Sequence, residues 1–137
     1  MFRLTKINYA GNNAPKYERF SVEDCTFPLK AGVAVDRLEN KIIEATYYPR
    51  YIVAKDYDES EGEDCLCYEV TENMEFKVEL LGTERAQLGR IVALAVSTDA
   101  KDAVEYNDDG PGRIIGIADD PKYVYVKFDR RKEYEEW

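Results

Sequence analysis

The chain has 137 residues, 45% of them hydrophobic, with 19 Lys/Arg against 28 Asp/Glu and no histidine. That length and balance fit a single globular domain, and a net charge of −9 argues against a general nucleic-acid binder, whose affinity comes from Lys and Arg neutralising phosphate. The missing histidine closes off Ser-His-Asp, Cys-His and His-containing zinc arrangements. No apolar run approaches the roughly 18 residues that cross a bilayer, and the first residues lack the apolar stretch of a signal peptide. A soluble protein made in the cytoplasm, with no membrane partner, is expected.

Residues 1–26 are expected to form an extended N-terminal arm and a first strand, ahead of a β-rich domain over 27–137. Gly11-Asn12-Asn13-Ala14-Pro15 is a turn-rich break within the arm. Phe2, Leu4, Ile7, Tyr9, Tyr17 and Phe20 would be costly to leave in water, so the arm packs on the chain's own core or on a neighbour. From Phe27, PLKAGVAVD predicts a strand, and IIEATYY after Glu39-Asn40-Lys41 predicts its hairpin partner. Leu38 and Ile42 at helical spacing offer a competing helix over 37–46; the alternation of Val33 and Val35 favours strands. YIVAK at 51–55 is a further short strand.

The acidic loop 56–64 (DYDESEGED) follows. Asp56, Asp58, Ser60 and Asp64 match the first, third, fifth and ninth positions of a calcium-binding EF-hand loop, but Glu61 replaces the glycine needed at six and Cys67 the bidentate glutamate at twelve. The solvated-loop reading is preferred, and no metal or cofactor is expected. Cys65 and Cys67, taken as projecting to opposite faces of a strand, cannot join Cys25 around one metal; three free thiols in a reducing compartment are expected.

In residues 74–80 Met74, Phe76, Val78 and Leu80 alternate with Glu75, Lys77 and Glu79, the two-residue period of a half-buried antiparallel strand. Residues 90–96 read as a strand buried on both faces, and 99–106 as a helical turn or a short strand with Val104 inward. GRIIGIA at 112–118 and YVYVKF at 123–128 complete the set, separated by turns containing Asp108-Asp109 and Asp119-Asp120. Asp is favoured in such turns for its hydrogen bonding to the backbone, so these carboxylates are not read as acid-base pairs and no catalytic residue is assigned. The sequences around Gly89 and Gly112 echo one another over four residues, too few to establish a repeat. The fold class expected is all-β: a small antiparallel β-barrel or β-sandwich with an extended N-terminal arm and at most one short helix.

Two surface features remain. Eleven tyrosines are present, and Tyr47, Tyr48 and Tyr51 cluster with Arg50, the residue types enriched at the energetic centres of interfaces; the terminal Trp137 is a further candidate contact. Residues 1–55 carry nine Lys/Arg and six Asp/Glu, whereas 56–137 carry ten and twenty-two, so a mildly basic leading segment precedes a strongly acidic body.

From Phe27 to Phe128 the order PLKAGVAV, an Ala45 segment leading to YIVAKD, MEFKVEL, an apolar strand starting at Gly89, and GRIIGIADD followed by YVYVKFD resembles the small head decoration, or capsid-stabilising, proteins of tailed bacteriophages. The resemblance implies a non-enzymatic virion protein on the capsid exterior, a homotrimer whose partner is the major capsid protein, clamping adjacent capsid subunits without contacting nucleic acid directly. The 1–20 arm would contact the shell. A different class of reading is an acidic inhibitor or nucleic-acid mimic, in which the carboxylates of 56–137 imitate phosphate and bind a basic enzyme.

Overall fold

The computed structural model describes residues 1–7, 15–23, 25, 27–62, 64–95 and 101–129, with the backbone alone at residue 61. Eleven strands and one 3-10 turn (Glu59–Glu61) lie among them: β1 (Arg3–Ile7), β2 (Tyr17–Ser21), β3 (Ala34–Leu38), β4 (Lys41–Glu44), β5 (Tyr51–Val53), β6 (Asp64–Glu69), β7 (Met74–Leu80), β8 (Ile91–Leu94), β9 (Ala103–Tyr106), β10 (Gly112–Ile117) and β11 (Tyr123–Phe128). The all-β class is as expected. The competing helix over 37–46 gives way to the β3–β4 hairpin, whose Leu38↔Lys41 register leaves a two-residue turn with Glu39 at a positive φ of 56°. β9 carries Val104 inward, while residues 96–100 lie outside the described residues.

The strands form two rings. β2-β4-β3-β5-β6 is a closed barrel (barrel 1). In the other sheet β7, β11, β10, β8 and β9 follow in order, and a parallel β9–β7 pairing brings the ring back to its start (barrel 2), with β1 added on β7.

The two rings share one plan. If the five strands of each are numbered in chain order, both run 1-3-2-4-5, with four antiparallel pairings and one parallel closure between strands 1 and 3. The registers agree as well. Val35 pairs with Tyr51 and Tyr51 with Glu69; in barrel 2 Val92 pairs with Gly112 and Gly112 with Phe128. Phe20↔Cys65 corresponds to Val78↔Val124, and the closing pair Ser21↔Lys41 to Glu79↔Ala103.

Backbone hydrogen bonds outside the ladders repeat too. Gly32 donates to Val53 and Val53 to Val33, both at 2.9 Å, as Gly89 donates to Ile114 (2.9 Å) and Ile114 to Arg90 (3.0 Å). Gly32 and Gly89 both need a positive φ, 92° and 83°, at the turn into the second strand. At the far end Val70 donates to Arg50 (2.9 Å) and Asp129 to Pro111 (2.7 Å).

Inward-facing positions therefore match across the barrels: Phe20 with Val78, Val35 with Val92, Ile42 with Val104, Val53 with Ile114, Cys65 with Val124 and Cys67 with Val126, every one at most 2% exposed. Barrel 1 closes over its own cluster, in which Phe20 and Tyr51 meet edge to face at 4.9 Å under the Arg37 guanidinium.

The larger cluster fills barrel 2 and runs on between the barrels. There Phe76 lies 5.9 Å from Phe2, 6.2 Å from Phe128 and 6.4 Å from the stacked ring of Tyr68 on barrel 1. Phe2 is held by its backbone N–H on Gly32 (2.8 Å), and Ala34 donates to Lys101 across the same junction (2.9 Å). Of residues 1–26, the described ones form β1 on one sheet and β2 on the other; residues 8–14, with most of the turn-rich break, lie outside the described residues.

Candidate interaction surface

The aromatic candidates sort by which interior they enter. Phe2, Phe20, Tyr48 and Tyr51 are 2–5% exposed: Phe20 and Tyr51 point into barrel 1, and Phe2 and Tyr48 fill the junction, where Tyr48 meets Phe128 edge to face at 6.0 Å. Leu4 and Ile7 are half-buried against that junction. Tyr47 is half-buried and its hydroxyl donates to the Asp109 carbonyl, so the 47–51 cluster ties the barrels together. Arg50 faces Asp36 at 3.7 Å. Tyr17 is the exposed member of the set, at 54%. Tyr9 and Trp137 lie outside the described residues. Burial pushes the Tyr51 and Tyr68 hydroxyls above the usual tyrosine range, so both stay neutral at physiological pH.

Two carboxylates of the acidic loop, Asp56 and Asp58, accept from backbone. Asp58 caps the 3-10 turn, accepting from the Ser60 N–H (2.9 Å) and hydroxyl (2.7 Å), bonds that hold its carboxyl below the usual range. Asp56 accepts from the Ala31 N–H at 2.9 Å. Arg19 and Lys55 line the same hollow, and among the described residues no three Cys, Asp or Glu converge as a metal site. Asp120 and Asn107 likewise cap their own turns, on Lys122 (3.1 Å) and Asp109 (3.0 Å).

One expectation is corrected. Cys65 and Cys67 are on the same face of β6, as a two-residue period requires, with their sulfurs 4.0 Å apart inside barrel 1. They occupy the places that Val124 and Val126 fill in barrel 2, the role of small buried hydrophobes. Cys67 donates toward Cys65 and is buried, and both effects push its thiol up; burial also raises Cys25. Iodoacetamide at pH 8 is therefore expected to label Cys25 slowly and to reach Cys65 and Cys67 only once urea unfolds the chain, as read by mass spectrometry. Three labels on the native protein would contradict this packing.

The matched barrels locate the surface that reading strand by strand misses. Barrel 1 turns Ala34, Ile52 and Tyr68 outward and buries them at the junction, with Tyr68 stacked on Phe76. The corresponding residues of barrel 2 are Ile91, Arg113 and Lys127, and they line an open groove of about 460 Å³ together with Glu72 and Gly110. Ile115, on the next exposed position of β10, is 39% exposed at its rim. One barrel face is thus used twice: apolar and covered in barrel 1, mixed in charge and open in barrel 2. No protein-family model matches the sequence, and no curated protein matches it. Arg113 and Lys127 stand beside Ile91 and Ile115 in this groove, with the carboxylates of Glu72 and Asp129 in the same lining.

Proposed function

We propose that the chain is a structural virion protein that binds the outside of a tailed-phage capsid and stabilises it by clamping adjacent major capsid subunits. The observation that carries this reading is the open barrel-2 face. A face that in barrel 1 is packed in the junction is repeated on barrel 2, where no described residue covers it. Because the barrel-1 copy of the face is buried at the junction, a clamp would have the single barrel-2 face seated across the seam between two adjacent capsid subunits, touching both. Two cations, Arg113 and Lys127, two carboxylates, Glu72 and Asp129, and the Ile91/Ile115 pair suit a partner surface of mixed charge with an apolar centre.

Saturating protein is expected to raise the temperature at which expanded capsids release their contents. The double substitution Arg113→Glu/Lys127→Glu should abolish that rise while changing the protein's own unfolding free energy by no more than about 1 kcal/mol, because Arg113 is exposed and Lys127 only half-buried. Capsids whose release temperature is the same with and without the protein would contradict the proposal.

A further inference from the structure

The matched barrels differ at one edge. In barrel 2 the outer edge of β7 carries β9 on Glu79 and Leu80 and β1 along residues 74–77. The same edge of β2 carries β4 on Ser21; along residues 16–19, which correspond to 74–77, no strand is paired among the described residues.

Ser21 donates its backbone N–H to Asn40 (2.7 Å), away from β6. By the two-residue alternation, Tyr17 and Arg19 turn their N–H and C=O groups to the same open side. Beside this edge stand two of the more exposed large apolar side chains of the chain, Tyr17 at 54% and Leu38 at 64%, the latter paired with Lys41 next to Ser21. A bare edge with apolar flanks is a template for another strand.

We infer that this edge pairs with the same edge of a second copy, giving a two-fold dimer through an antiparallel β2–β2 seam. The sequence is self-complementary in one register. With Tyr17 opposite the partner's Tyr17, Lys16 lies across from the partner's Glu18 and Glu18 from the partner's Lys16, while the two tyrosines form an aromatic cross-strand pair. Sliding the seam by one pairing step, to Tyr17 opposite Arg19, sets Glu18 against Glu18 and is disfavoured. Pro15 falls opposite the partner's Arg19, where its carbonyl accepts and its missing N–H ends the ladder. An isologous contact of this kind closes after two copies, so the assembly is a dimer and not the trimer that the phage resemblance implies. The inference stands independently of the capsid reading.

Sedimentation equilibrium of the full chain is expected to show a monomer–dimer equilibrium, with dimer present by about 100 µM. Tyr17→Pro removes the two central outward donors but no β2–β6 hydrogen bond, so it should weaken the dimer by at least about tenfold while the far-UV circular dichroism is retained. As a second line that does not rely on proline, Lys16→Glu and Glu18→Lys should each weaken the dimer, and the double exchange should restore it to within about threefold of wild type. A strict monomer at that concentration, a trimer, or a dimer indifferent to all of these substitutions would overturn the inference.

Discussion

Phe76→Ala is expected to destabilise the protein by about 3–5 kcal/mol, the range for removing a large aromatic from a packed interior. The ring is fully buried and touches Phe2, Tyr68 and Phe128, so it joins the N-terminal strand, barrel 1 and barrel 2 at once. Deleting it leaves a cavity lined by three aromatic faces that strands in fixed register cannot collapse to fill. Urea unfolding followed by circular dichroism and by the tyrosine signal should move together to a lower midpoint in this variant if the junction couples the barrels. A loss under about 1 kcal/mol would show that the aromatic junction is not where the two barrels are held.

Gly110→Ala should be nearly as damaging, by about 3 kcal/mol, for a different reason. A Cβ at Gly110 would press into the carbonyl group of Val92, which is backbone in the neighbouring strand and has no rotamer by which to move aside. Gly110 also donates its N–H to Asn107 at 2.9 Å, so the turn cannot swing out without losing that bond. Pro49 stands at the corresponding place before β5 in barrel 1, where a ring is accommodated, and Pro49→Ala is expected to cost only about 1 kcal/mol. Urea midpoints at unchanged slope measure both. Equal losses at Gly110 and Pro49 would argue against this account of the Val92 contact.

Strands that have one face in a core and one in water announce themselves. MEFKVEL and YVYVKF alternate residue by residue, and β7 and β11 follow them without a break in pattern. β5 does not alternate, because its three residues serve two interiors: Tyr51 and Val53 point into barrel 1 and Ile52 out to the junction. The doubled plan was hidden for a related reason. Corresponding strand positions conserve inwardness rather than identity, and of the matched strand residues only Val35 and Val92 are the same. The apparent echo between Gly89 and Gly112 joined strands 2 and 4 of a single barrel, whereas the true counterpart of Gly89 is Gly32, fixed by its positive φ and its hydrogen bond.

The surface was harder to read than the fold. Tyrosine suits both a strand core and an interface, so the 47–51 cluster could not be assigned until parity placed Tyr51 inside barrel 1 and the junction covered Tyr48. Nothing in the sequence sets Arg113 and Lys127 apart from the other charged strand residues. Their meaning comes from register, since they stand where barrel 1 has Ile52 and Tyr68 and is covered.

If a major capsid protein is encoded beside this chain, co-sedimentation with expanded capsids built from it is the most direct test of capsid binding. Saturable binding at a fixed ratio to capsid subunits is expected, lost in Arg113→Glu/Lys127→Glu. A protein that stays in the supernatant at about tenfold excess over capsid subunits would contradict it.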